Sequence, residues 1–230
     1  MSEVIYEGCL GDTPFIVKQL TENDLKDILS LQQVVVDALP NKETLEPLSA
    51  EEFLFILHGN GIMIGAFVED ELIAFRALLI PEMDDEGLGA DIGLSEEDRK
   101  RVLYQEITNV HPNFRGHGLQ KKLADCIMKQ IDTSEFHYIL STVMPYNIPS
   151  LKDKFYQGMR IAALKAKYGG KMRYIFVKRL IAEQCLEENS VFLSMGDIEG
   201  QKELLHKGYV GVSLKQQEDD WLVEYRKVLN

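Results

Sequence analysis

The stretch Val110-His111-Pro112-Asn113-Phe114-Arg115-Gly116-His117-Gly118-Leu119-Gln120 joins a β-rich run to an amphipathic one through two glycines. A strand that turns directly into a helix leaves several backbone N–H groups without acceptors, and the positive end of the helix dipole lies at the same spot. That combination suits a pyrophosphate. Gly116 and Gly118 let the backbone approach phosphate oxygens with no Cβ in the way, and Arg115 adds charge. His117, Leu119 and Gln120 complete the turn that would hold the ligand. The plain alternative is a tight strand-to-helix turn with no chemical use. A nucleotide-phosphate enzyme fits less well, because the Gly-x-x-x-x-Gly-Lys lysine and the dinucleotide glycine spacing are both missing.

With those residues in place, the stretch resembles the acetyl-CoA motif of the GNAT superfamily, Arg/Gln-x-x-Gly-x-Gly/Ala preceded by Val-x-Pro. Arg115, Gly118, Val110 and Pro112 match it, and Gln120 departs from the final Gly/Ala. A second stretch, Pro145-Tyr146-Asn147-Ile148-Pro149-Ser150 through Gly158-Met159, resembles the superfamily's Asn-x-x-Ala/Ser helix that ends in Gly-Phe. The resemblance covers roughly residues 14–180. It implies acetyl-CoA as co-substrate, no metal, and the primary amine of a small molecule or peptide as acceptor. It also implies that Asn147 and Ser150 contact the pantetheine arm, as do backbone groups of Thr108, Asn109 and Val110. Asn147 is equally at home as an ordinary helix N-cap.

Direct attack of an amine on a thioester needs a neutral nucleophile, and an alkylamine is only about one part in a thousand neutral at pH 7. A general base is therefore useful. Glu106 is the candidate, expected to share a strand face with Thr108 and Val110. A solvated carboxylate at that place is the alternative. The family's usual acid, a tyrosine seven residues after the helix asparagine, is replaced by Lys154, which leaves Tyr146 as a substitute. A CoA-binding protein with a sensory or regulatory role and no transfer activity is the competing reading.

These residues need an α/β scaffold to hold them. Phe15 to Leu20 reads as a strand. Thr21 with Asp24 is a variant capping box for a helix closed at Pro40-Asn41, and Ser49 with Glu52 is a standard one for a shorter helix. Ile62 to Val68 and Leu72 to Ile80 form a hairpin around Glu69-Asp70-Glu71. The acid-rich segment 81–101, with Asp84, Asp85, Glu86 and Asp91 among its acids, is long enough to be a functional or mobile loop; the plain alternative is a solvated loop with a short helix after Ser95. Then follow a strand Val102 to Val110, a helix Gly118 to Ile131 buried along Leu119, Leu123, Ile127 and Ile131, and a strand Phe136 to Val143. A helix Asn147 to Gln157 ends at Gly158, and a hairpin runs from Arg160 to Leu180 across Gly169-Gly170. The expected fold is a central, mixed, mostly antiparallel twisted sheet flanked by helices.

Beyond it the sequence echoes itself. Asn147-Ile148 leads to Gly158-Met159, and Asp197-Ile198 leads by the same interval to Gly208-Tyr209. On that register, without gaps, Gly169-Gly170 falls on Asp219-Asp220. This predicts an acetyl-CoA-binding catalytic domain over 1–180 and a degenerate β-α-β-β half repeat over 181–230, packed on the first domain or at a homodimer interface. A net charge of −12 opposes a phosphate backbone, so nucleic acid is not expected as a partner. Neither a transmembrane run nor a secretion signal is present. Cys9, Cys126 and Cys185 stand at wide, motif-free spacing, which suits reduced thiols in a cytoplasm and no metal.

Overall fold

The computed structural model describes residues 3–40, 45–82 and 87–229. Asn41, Asp84, Asp85 and Glu86 therefore lie outside the described residues. The chain divides into two compact units. One comprises residues up to Pro81 and Leu103–Asp132; the other comprises Glu82–Val102 and everything from Thr133 onward.

The first unit carries strands β1 (Val4–Leu10), β2 (Thr13–Gln19), β3 (Gly61–Val68), β4 (Glu71–Leu79) and β5 (Val102–Val110), each antiparallel to the next. Strand β1 was not foreseen: its apolar residues Val4, Ile5, Tyr6, Cys9 and Leu10 do not alternate with polar ones, and it is half-buried at best. Helices α1 (Leu25–Asp37) and α2 (Ala50–Leu57) begin where their capping pairs stand. Thr21 N–H donates to Asp24 Oδ2 at 2.8 Å, and a short 3-10 turn over Glu22–Asp24 leads into α1. Ser49 and Glu52 cap each other at 2.7 and 3.2 Å. Ile28, Leu31 and Val35 of α1 and Phe53 and Ile56 of α2 close a core with Met63, Phe67, Phe75, Ala77 and Ile107. Helix α5 (Leu119–Met128) also packs on β3 and β4, and its expected stripe of Leu119, Leu123 and Ile127 is buried. The helix stops at Met128, short of Ile131.

The second unit opens with two single-turn helices, α3 (Leu88–Asp91) and α4 (Glu96–Arg99), the latter capped by Ser95. The segment is not simply solvated. Asp91 takes Lys165 and Lys167 at 2.8 Å each. Burial alone would push its carboxyl up, but these two lysines outweigh it and hold the carboxyl below its ordinary range.

Two runs of the same element order follow. The first is β6 (Tyr138–Val143), α6 (Ile148–Tyr156), β7 (Arg160–Lys167) and β8 (Lys171–Arg179). The second is β9 (Leu186–Ser194), α7 (Ile198–His206), β10 (Tyr209–Gln217) and β11 (Asp220–Val228). Their sheet order is β6-β8-β7-β10-β11-β9, antiparallel throughout. The offset that carries Asn147 to Asp197 also carries Gly158 (φ 72°) to Gly208 (φ 84°). It carries the bulge between Ile161 and Ala163 to the one between Gly211 and Ser213. Strands β7 and β10 meet with Ile161 opposite Gly211, two residues equated by that offset, so a local two-fold axis passes between them. A Cβ at Gly211 would stand 2.9 Å from the Ile161 side chain, which is why glycine is needed at the crossing. The gapless register fails past the turns. The β10–β11 turn, Glu218-Asp219, is one residue shorter than Tyr168-Gly169-Gly170, so Asp220 opens β11 opposite Gln217 instead of lying in the turn. Residues 133–180 and 181–230 belong to one compact unit.

Among the described residues no helix is long and apolar enough to cross a membrane, and no group of three or more His, Cys, Asp or Glu side chains could hold a metal. The three cysteines are unpaired.

Candidate functional site

In the first unit β5 delivers the chain to the glycine turn. His111 N–H donates to the Ile73 carbonyl at 2.9 Å, and a 3-10 turn over Pro112–Phe114 follows, with His111 Nδ1 accepting from Asn113 N–H at 3.2 Å. Gly116 and Gly118 then take φ values of 83° and 74°, in the left-handed region that favours glycine. Nothing lies within 4 Å of where a Cβ would stand at either residue, so the turn faces open space.

Gly118 is the N-cap of α5, and no side chain caps this helix. The first backbone return is Lys122 N–H to Gly118 O at 3.0 Å. The N–H groups of Leu119 and Gln120 therefore have no intrahelical acceptor and point out of the helix. No acidic residue occupies the first turn, and residues 115–118 are exposed. Arg115 lies over the same turn, its Nε 3.4 Å from the Val110 carbonyl. Beneath it the fully buried Arg76 of β4 donates to the Gln120 carbonyl at 3.3 Å. Arg76 was missed in the sequence. Its one signal is a lone charge inside the apolar run Leu72–Leu79. The turn Arg115–Gln120 is thus positively biased and open on the side of its two glycines.

Strand β5 supplies the second feature. Ala77 and Leu78 of β4 lie opposite Ile107 and Gln105, which leaves Glu106 as the extra residue of a β-bulge. The bulge interrupts the pairing with β4, yet burial along β5 still alternates, with Glu106, Thr108 and Val110 less buried than Gln105, Ile107 and Asn109. Thr108 lies opposite Arg76, whereas the acid whose charge Glu106 feels is Glu52 of α2. Part of the Glu106 side chain reaches solvent. Even so, the protein atoms around it, and then the charge of Glu52, push its carboxyl above the usual carboxylate range. Next along the strand, Asn109 is 1% exposed, and neither its amide oxygen nor its nitrogen has a hydrogen-bond partner among the described residues. A buried, unmet amide costs about 1–3 kcal/mol, and a ligand amide such as those of pantetheine would meet it.

The second unit holds the remaining candidates. Asn147 caps α6, its Oδ1 accepting from Ser150 N–H at 3.4 Å, so these two residues are brought together by the helix entry itself. Tyr146 precedes them with φ 65°, unusual for a residue bearing a Cβ. Its ring is exposed, and its hydroxyl hydrogen-bonds to Asp220. Partial burial, then the charge and hydrogen bond of Asp220, raise its phenol above the ordinary range. Lys154 is buried with its Nζ 3.6 Å from Asp153 Oδ2.

No family model matches the chain, and no curated protein matches it in sequence. Solved structures do. The ribosomal-protein-S18-alanine N-acetyltransferase of Escherichia coli superposes with a TM-score of 0.54 at 14% identity, over 76% of this chain and 97% of its own. Arabidopsis thaliana NAA60 in complex with a bisubstrate analogue gives 0.58 at 18%, over 74% and 99%. The GNAT domain of PAT from S. lividans gives 0.55 at 17%, over 76% and 96%. This chain therefore has the GNAT fold, the fold of a class of acetyltransferases.

Proposed function

We propose that the protein is an acetyl-CoA-dependent N-acetyltransferase acting on the primary amine of a small molecule or peptide. The observation that carries this reading is the open entry of α5: two left-handed glycines, outward backbone N–H groups of Leu119 and Gln120, no capping side chain and two arginines close by. It occurs on a fold shared with NAA60, which has been solved with acetyl-CoA. The residues of this cradle fit the pyrophosphate of CoA, and the unmet amide of Asn109 fits its pantetheine arm. Asn147 and Ser150 keep the pantetheine contact that the resemblance gives them.

In the reaction, the amine nitrogen attacks the thioester carbonyl, the C–S bond breaks, and CoA leaves as its thiolate. The proton lost from nitrogen passes to Glu106, directly or through water. A carboxyl raised above its ordinary range is a better match to that task than an unperturbed one. Tyr146 is the proton donor to the thiolate. Residues 186–228 are read as a degenerate second copy of the 138–179 run that binds no CoA of its own.

One observation favours a binding protein without transfer activity: Lys154, buried and paired with Asp153, stands where the family carries its acid tyrosine. Release of free thiol from acetyl-CoA, measured across a panel of primary amines, separates the two. Amine-dependent release is expected. CoA binding with no release for any amine would favour the second reading, and absence of CoA binding would defeat both.

A further inference from the structure

The C-terminal run does more than cover the sheet, because its helix entry forms a seat for Tyr146. Tyr146 N–H donates to Met195 Sδ at 2.9 Å. Met195 is fully buried, and its carbonyl accepts from Gln201 Nε2 at 3.0 Å. Gln201 is itself fully buried. Its Oε1 accepts from the hydroxyls of Tyr174 at 2.7 Å and Tyr225 at 2.8 Å, and its Nε2 also donates to Ser194 O at 3.2 Å. Every polar atom of that amide is thereby used, which fixes the Ser194-Met195 turn. Above the turn the Tyr146 hydroxyl meets the Asp220 carboxylate, which also accepts from Ser194 Oγ and from its neighbour's backbone, Trp221 N–H at 2.7 Å. A side chain at position 196 would press on that hydroxyl, and glycine stands there. Tyr146 is left-handed and exposed, so nothing in its own segment explains its conformation. The explanation lies in β11 and the entry of α7.

We propose that Asp220 is a positioning residue: with Met195 and Gly196 it holds Tyr146 against the C-terminal run and fixes where the phenol sits. The inference rests on the acetyltransferase reading for the use of that phenol as proton donor. The charged and titratable groups that act on it are Asp220 on β11 and Tyr174 on β8. Hydrogen bonds from Ser194, the Trp221 backbone and Tyr146 hold Asp220 below the ordinary carboxylate range, so it is ionised at neutral pH and favours a protonated phenol.

The test is a phenolate absorbance titration, with the Tyr146 signal isolated as wild type minus Y146F. The same titration is run in D220N and D220E, with circular dichroism to show that each variant folds. D220N removes the charge but keeps an acceptor, so Tyr146 is expected to ionise at lower pH than in wild type, and D220E should restore it. The alkaline limb of kcat, which reports loss of the phenol proton, should move down with it. In D220N kcat at neutral pH should fall about tenfold from misplacement, with KM for acetyl-CoA within about threefold because the cradle is untouched. A phenol titration that stays in place overturns the proposal, and so does a shifted titration with kcat and its pH limb unchanged. A wild-type protein that acetylates no amine counts against the acetyltransferase reading alone, since the phenol titration still decides whether Asp220 seats Tyr146.

Discussion

Helices α5 and α7 both follow a strand and a short turn, yet they treat their first N–H groups in opposite ways. At α7 the Asp197 carboxylate folds back onto Gly200 N–H at 3.0 Å, and Glu199 adds a second negative charge to the first turn. The dipole is answered from within the chain. At α5 the N-cap is Gly118, with no side chain to offer, no acid in the first turn and Arg115 and Arg76 nearby. The entry of α6 is intermediate in charge, capped by the neutral Asn147. The lesson is that one residue at the cap decides whether a helix entry is a finished piece of structure or an unmet anion site. Of these three helices, α5 is the one whose entry has no side-chain cap.

The harshest way to challenge this contrast is to remove the closed entry altogether. Truncation after Leu180 takes away β9, α7, β10 and β11, strips Gln201 from the fully buried Tyr174, and turns β7 into a sheet edge. Loss of soluble, folded protein is expected, read by yield, size exclusion and circular dichroism. A soluble truncated enzyme with unaltered activity would show that the C-terminal run is dispensable.

Next in size is E106Q. Turnover should drop by about 100-fold or more with CoA affinity unchanged, and the acidic limb of the pH–rate profile should vanish. That limb lies above the ordinary carboxylate range because the carboxyl is raised. The sign for stability runs the other way from the usual acid. A carboxyl raised in the folded state contributes stability while protonated and loses it as pH rises through the raised value, so ionised Glu106 weakens the fold at neutral pH. Thermal melts of E106Q at pH 7 should therefore show equal or higher stability. A rate within a few-fold of wild type would leave Glu106 as scaffold. The smallest effect is expected from D197A, which removes one cap: about 1 kcal/mol of stability by denaturant titration, with CoA affinity untouched.

Much of this contrast was legible in the chain itself. The glycines at 116 and 118 sit between a β-rich and an amphipathic run, and the capping pairs Thr21–Asp24 and Ser49–Glu52 act within three residues, so local chemistry announced them. What escaped depends on a second strand. The bulge at Glu106 exists only relative to β4, and no count along β5 alone reveals it. The β10–β11 turn lost one residue relative to its counterpart, so a gapless register misplaced Asp220 and hid its bond to Tyr146. Arg76 reaches Gln120 across the fold, with no local pattern to signal it.

The central claim, that the α5 entry is the one CoA cradle, is tested most directly by calorimetric titration of CoA into wild type, D197A and G118D. A carboxylate at position 118 would stand at the proposed pyrophosphate site, at a backbone φ of 74° that disfavours any side chain, so circular dichroism must first show the variant folded. The account predicts one site per chain in wild type, the same site in D197A, and a loss of more than about 2 kcal/mol in G118D. Two equivalent sites per chain, or unchanged affinity in folded G118D, would contradict it.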